Sequence, residues 1–313
     1  MGGVTVITTM KNEGAFLLEW VAHYKALGAD HLFIAHNDCA DPQPAMLARL
    51  AEMGLVRPHA TKNWSHGGIQ RTALRQARWY EEVTGAEWLF VCDADEFLTI
   101  HLGDGSFAAL IAASAPADVI GVSWRIFGSG GVVGYDPAPV TQQFTRCEVP
   151  PRAAFVKCLF RRLPEVQRIG IHRPHPREGV EFDWRMAGGG AWRKGRGPMM
   201  PRTDYAAAQL NHYALRSRDS FLVKRDRGRV NHTGEDMGLH YWQRFQHNET
   251  EDHAIRRYDE AVAGWLAQLR ADPVLARLED QARDWHRARI AALLADPEWA
   301  AFAERLTTTE GAQ

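Results

Sequence analysis

The chain has 313 residues, 45% of them hydrophobic, and a formal net charge of −1. That length can bury a full core as one larger domain, or as one domain with an appended segment, and the near-neutral charge excludes a general attraction to nucleic acid or anionic membrane. The four cysteines (Cys39, Cys92, Cys147 and Cys158) form no C-x-x-C pair, no apolar run is long enough to cross a bilayer, and no signal peptide is visible, so a reduced, cytoplasmic setting is expected.

Strand and helix signals alternate from the start. Residues 4–8 predict a first strand. Phe16, Leu17, Trp20, Val21, Tyr24 and Leu27 then recur at helical spacing, and Gly28 closes that helix. A second strand is predicted over 32–35, a polar turn over 37–42, a helix over 45–53 and a third strand over 55–57. A long helix is predicted over 69–83, and the apolar run 88–92 after Gly85 reads as a buried strand. Successive β–α units imply an α/β fold with a mostly parallel central sheet, right-handed crossovers and flanking helices. Residues 251–306 are helical and amphipathic, with interruptions near Pro273 and Pro297. The expected division is therefore 1–250 as the catalytic part and 251–313 as a helical segment packed on it. Its mixed charge favours packing over a dimer interface or a peripheral membrane contact.

The strand over 88–92 runs directly into Asp93-Ala94-Asp95-Glu96. Ligands of open α/β sheets bind beyond the carboxyl ends of strands, and two hard oxygen donors there suit Mg2+ or Mn2+ shared with phosphate oxygens. The plain alternative is that these acids only form a turn or cap a helix. A phosphatase of the haloacid dehalogenase type would carry D-x-D on its first strand, with Thr or Val where Phe97 stands. No G-x-G-x-x-G follows the first strand, which argues against a dinucleotide-binding dehydrogenase.

Asn12-Glu13, Glu19-Trp20, His23-Tyr24, Leu27-Gly28, Asp30-His31, Asn37 and Asp93-Ala94-Asp95-Glu96-Phe97 together resemble the family 2-like glycosyltransferases. Trp124, Phe127, the His172-Arg173-Pro174 segment and Asn211-His212-Tyr213 through Arg227-Gly228 continue the resemblance in order. It implies a GT-A fold and an inverting, metal-dependent enzyme. Such an enzyme transfers a sugar from a nucleoside diphospho-sugar, with a UDP-sugar favoured, to a hydroxyl of a glycan or glycoconjugate such as a surface polysaccharide. The alternatives kept beside it are a sugar-nucleotide nucleotidyltransferase, whose glycine-rich loop is missing after the first strand, and a non-catalytic nucleotide-sugar-binding protein.

The resemblance distributes roles along the chain. Thr8, Thr9, Asn12 and Glu13 border the nucleobase and ribose, Asn37 and Asp38 face the base, and Gln70 and Arg71 are in reach of base or diphosphate. Asn12 and Glu13 equally suit the capping of the helix that follows. Asp93 faces ribose or metal, Asp95 is the direct metal ligand, and His212 joins them as a late ligand. His172 lines the donor or acceptor pocket, because its H-x-x-H with His175 lacks the helix and Glu of a zinc protease. The general base is expected among downstream carboxylates: Asp183, between Phe182 and Trp184, is favoured, with Glu181 and Glu96 as the other candidates. Residues 184–202 combine Gly188, Gly189 and Gly190 with two tryptophans and five basic residues, the composition of a lid able to close over a diphosphate.

Overall fold

The computed structural model describes residues 3–62, 64, 68–149, 155–192, 205–228 and 237–310. In chain order its strands are β1 (Val4–Met10), β2 (His31–His36), β3 (Arg57–Ala60), β4 (Trp88–Val91), β5 (Glu96–Ile100), β6 (Val119–Ile126) and β7 (Arg146–Cys147). They continue with β8 (Val156–Arg161), β9 (Val166–Ile169), β10 (Pro174–Pro176), β11 (Trp184–Met186), β12 (Ala208–His212) and β13 (Thr250–Glu251). The α-helices are α1 (Gly14–Ala26), α2 (Gln43–Glu52), α3 (Ile69–Ala77), α4 (Glu81–Thr84), α5 (Phe107–Ser114) and α6 (Val140–Gln143). After them come α7 (Arg218–Arg227), α8 (Leu239–Phe245), α9 (Asp259–Arg270), α10 (Pro273–Leu294) and α11 (Pro297–Glu310).

Among the described residues nine strands form the central sheet, in the order β3-β2-β1-β4-β8-β6-β12-β5, with β11 beside β6. β3, β2, β1 and β4 run parallel; β8 opposes both β4 and β6; β12 runs with β6 and against β5. The expected α/β architecture is thus observed, with a mostly parallel sheet, helices on its faces and a helical C-terminal segment. Strand alternation divides the core: Trp88, Phe90 and Cys92 of the β4 segment face one apolar cluster, and Leu89 and Val91 face the other.

Two predicted elements shift for identifiable reasons. The third strand begins at Arg57 rather than at 55, because Leu55 N–H still donates to Leu50 O in the turn that closes α2. The helix predicted over 69–83 breaks into α3 and α4, with Tyr80 extended between them. Tyr80 shares a hydrogen bond with His59 Nδ1 (2.7 Å) and packs on Phe33, a tertiary anchor that periodicity does not report.

Pro273 and Pro297 are not breaks inside a helix but the first residues of α10 and α11, where the missing N–H costs nothing. α9 and α10 both pack on α1. A Cβ at Gly14 would lie 2.9 Å from the Ala282 Cβ, so α10 approaches the first turn of α1 as closely as glycine allows. Leu269, fully buried in α9, belongs to the same apolar cluster as Trp20 and Phe90. Leu269→Ala is therefore expected to lower unfolding free energy by about 3–5 kcal/mol in chemical denaturation, whereas a loss below about 1 kcal/mol would show that the C-terminal helices are only loosely attached.

Candidate active site

The acidic turn is placed by sheet register. β4 ends at Val91, Asp93-Ala94-Asp95 reverses the chain, and β5 leaves antiparallel to β12 with Glu96 opposite His212. Tyr213 N–H donates to Asp95 O (2.9 Å), which fixes the end of β12 against the turn. His212 Nε2 consequently lies 3.7 Å from Asp95 Oδ1. β8 is inserted between β4 and β6, and its Lys157 reaches Asp93 Oδ2 (3.0 Å) and Glu96 Oε2 (3.6 Å) with no solvent exposure of its own.

Each carboxylate here is held by a specific partner. Asp93 Oδ1 accepts from Gln70 Nε2 (2.7 Å), and Asp93 N–H donates to Glu96 Oε2 (2.8 Å). Asp95 Oδ2 pairs with Lys224 Nζ at 2.5 Å. Glu13 is clamped by Arg216 (2.8 Å) and Arg227 (2.6 Å). Burial acts to raise all these carboxyl pKa values, but Lys157 holds Asp93 below the ordinary value, Lys224 and His212 hold Asp95 well below it, and the two arginines do the same for Glu13. Glu96 is the exception. Burial, reinforced by Asp93 and Asp95, drives its pKa well up despite Lys157.

These groups surround one cavity of about 200 Å³ at the carboxyl ends of β1 and β4. Of the residues singled out in the sequence, Thr9, Glu13, Gln70, Asp93, Asp95, His172 and His212 line it. Thr8 does not: it faces the α1 side of the sheet, and its neighbour Thr9 reaches the cavity, as period-two alternation requires. Asn12 accepts a hydrogen bond from Ala40 N–H, Asn37 donates to Asp38, and neither they nor Asp38 line the cavity. Glu13 does not cap α1; Gln43 and Asp41 accept from the N–H groups of Glu13 and Gly14 instead. Arg71 lies in an adjacent groove rather than in the cavity.

None of the three carboxylates expected to act as base lines the cavity. Asp183 is paired with Arg185 (2.9 Å), and its carbonyl accepts from Val119 N–H at the opposite end of the sheet. That end is separated from Asp93 by about four residues of strand, ~13 Å. Glu181 is exposed and outside the cavity, and Glu96 is wholly buried beneath the turn. Gly188 N–H donates to Ser114 Oγ at that same far edge, so the glycine run is anchored on α5; Arg193, Lys194, Arg196 and Arg202 lie outside the described residues.

The cavity also receives Lys11, Trp124, Lys224, Arg227 and Tyr241, which carried no assigned role in the sequence. Lys224 and Arg227 come from α7, whose run of Lys and Arg at the last turn reads as ordinary complement to a helix dipole. His172 Nδ1 contacts Val156 O (3.1 Å); a carbonyl only accepts, so Nδ1 carries the proton and Nε2 the lone pair. Burial first, then Lys157, lowers the His172 pKa to about 4, which keeps it neutral.

A divalent cation would find two donors in this arrangement, Asp95 and His212, whose Nδ1 is buried without a partner. Among the described residues no three His, Cys, Asp or Glu side chains gather to hold a metal, since Asp93 is turned to Gln70 and Lys157. Two donors suffice for a hard cation that completes its shell with phosphate and water.

No family model and no curated protein matches the chain. Among solved structures it is similar to S. aureus TarS 1-349, at 16% identity and a TM-score of 0.31, over 51% of this chain and 47% of that one. The same protein in complex with UDP matches at 15% and 0.31, over 51% and 46%. HddC from Yersinia pseudotuberculosis matches at 11% and 0.30, over 59% of this chain and 89% of that one. The chain thus spans about half the length of the TarS fragment. At these identities and scores the likeness assigns no reaction. Among the described residues no helix is long and apolar enough to cross a membrane.

The clamp on Glu13 has a pH signature. Its folded-state pKa lies below the ordinary 4.5, so its stabilisation is fully present above that value and is lost as pH falls through the depressed folded value. Glu13→Gln is expected to cost about 3–5 kcal/mol at pH 7 by leaving Arg216 and Arg227 without their carboxylate. The same substitution should flatten the acid limb of a Tm-against-pH curve below pH 4.5; an unchanged limb would show that Glu13 is not the group titrating there.

Proposed function

We propose that the protein is a glycosyltransferase of the family 2-like, GT-A type. It binds a nucleoside diphospho-sugar, with a UDP-sugar favoured, in the cavity beside Asp93 and Asp95 and passes the sugar with inversion to an acceptor hydroxyl. The observation that carries this reading is the convergence of Asp93, Asp95 and His212 with Lys11, Lys224 and Arg227 around one cavity at the carboxyl ends of parallel strands. A nucleoside diphosphate needs that mixture: fixed cations for its phosphates and oriented carboxylates for ribose hydroxyls or metal.

In this reading Lys11, Lys224 and Arg227 face the diphosphate, on which negative charge grows as the sugar–phosphate bond breaks. Gln70 and Lys157 hold the Asp93 carboxylate in one orientation, which leaves its remaining lone pairs to accept from ribose hydroxyls. Asp95 and His212 would hold Mn2+ or Mg2+, which would add a second source of charge stabilisation at the leaving group. Trp124 offers an aromatic face in the same cavity, against the rings of His172 and His212.

The acceptor proton requires a base. His172 is the group we assign to it, because its Nε2 is unprotonated and it lines the cavity. At a pKa of about 4 it is a weak base in the empty cavity, and the charge of a bound diphosphate raises its basicity.

Calorimetric titration of UDP and GDP with and without Mn2+ tests the assignment. Metal-dependent binding of one nucleotide is expected, with Asp95→Asn and His212→Ala each lowering sugar transfer by roughly 10²-fold or more. Failure of every nucleotide to bind the folded protein would remove the donor-site reading, and binding indifferent to both metal and Asp95→Asn would remove the metal assignment.

A further inference from the structure

Beside the catalytic cavity lies a second and larger hollow of about 710 Å³, between α3 and the β9–β10 hairpin. Its walls are strongly basic. Arg71, Arg75 and Arg78 follow one another at i, i+4 and i+7, so they occupy a single helical face of α3 and the residue that ends it. Arg168 and Arg173 face them from the hairpin, with His175 paired across from Arg168 in the strand register. No carboxylate lines the hollow, and none of the five arginines has an acidic partner among the described residues. Arg78 bonds only the Gln167 carbonyl (2.8 Å), and Arg168 contacts only the His175 ring (3.3 Å). The His175 pKa is lowered by burial first and then by the nearby charges of Arg168, Arg173 and Arg71.

Like charges one turn apart destabilise a helix, and five unpaired guanidinium groups in a chain of net charge −1 are not a by-product of composition. Around the cavity, by contrast, four cations are matched to carboxylates: Lys157 to Asp93, Lys224 to Asp95, Arg216 and Arg227 to Glu13. A third hollow of about 380 Å³ lies between the two: Arg71, Arg168, Arg173 and His175 line it together with the larger hollow, and His172 lines it together with the cavity.

We propose that this hollow binds a chain-like polyanionic acceptor, a glycan carrying regularly spaced anionic groups, and leads its hydroxyl to the catalytic cavity. The proposal rests on the glycosyltransferase reading. The lining favours such a chain over other polyanions. Among the described residues its lining contains no Phe, Tyr or Trp on which bases could stack, and it is concave; the exposed Trp79 that follows Arg78 is not part of it. Guanidinium groups suit planar or tetrahedral oxyanions through paired N–H donors.

The test uses the full chain, dextran sulfate as probe, and uncharged dextran of equal length as control. The variant is Arg75→Ala/Arg78→Ala/Arg168→Ala, three positions outside the cavity, read beside Arg75→Lys/Arg78→Lys/Arg168→Lys. Dextran sulfate is expected to bind in a salt-sensitive way, about tenfold or more weaker in the alanine variant and within about threefold of wild type in the lysine variant, with dextran not bound. UDP affinity and Tm should be unchanged in both variants, which separates loss of the groove from loss of the fold. Equal binding of dextran sulfate by wild type and the alanine variant overturns the proposal. So does groove-dependent binding of phosphatidylglycerol vesicles or single-stranded DNA in preference to dextran sulfate. If UDP fails to bind while dextran sulfate still binds through these arginines, the donor-site reading fails and the anion-binding groove stands.

Discussion

Four acidic side chains converge at the carboxyl ends of β1 and β4: Glu13, Asp95 and Glu96 are buried and Asp93 is half-buried. Carboxylates cannot be concentrated there without compensation, because each buried charge carries a desolvation cost of several kcal/mol and repels its neighbours. The rest of the molecule is arranged around that requirement. β8 enters the sheet antiparallel and delivers Lys157; the turn after β12 delivers Arg216; α7 delivers Lys224 and Arg227. α10 and α11 in turn pack on α7, with Arg289 of α10 paired to Asp226 (2.5 Å), so the C-terminal helices brace the element that neutralises the site.

Glu96 shows how the cluster sets itself apart from ordinary carboxylate pairs. It is fully buried, with Asp93 and Asp95 on either side of the turn, and its pKa is driven up while theirs are driven down. Divergent environments for neighbouring titratable groups commonly divide their roles. Asp93 and Asp95 stay charged and reach the cavity, whereas Glu96 accepts the Asp93 N–H and shapes the turn from below. It is a positioning residue.

Cavity and groove both carry cations, but they are built differently. In the cavity Lys224 and Arg227 are matched to carboxylates, which keeps the site ordered before a ligand arrives and confines positive charge to fixed points. In the groove Arg78 touches a carbonyl, Arg168 an imidazole and Arg173 an indole ring, with no carboxylate among the described residues. The first construction suits a compact ligand with defined geometry, the second a long ligand recognised by charge spacing.

The sequence by itself determined the alternation of strands and helices and the buried strand before Asp93, and it marked Asp93 and Asp95 as candidate ligands, with His212 added by the resemblance. The first three rest on local periodicity and on residue types whose chemistry is the same wherever they are found. Helix starts at Pro273 and Pro297 were legible only as interruptions, because a proline at N1 and a proline that breaks a helix look alike in one dimension. Only the tertiary structure decided which acids face solvent, which are buried and which are paired. Asp183 looked apolar-flanked in sequence, yet β11 joins β6 at the far edge and leaves it paired with Arg185. Lys157, Lys224 and Arg227 carried no assigned role in the sequence, because only sheet order and helix docking set them against carboxylates more than 60 residues away in sequence. Charge pairing acts through space, so its partners follow strand order and packing, which no local pattern encodes.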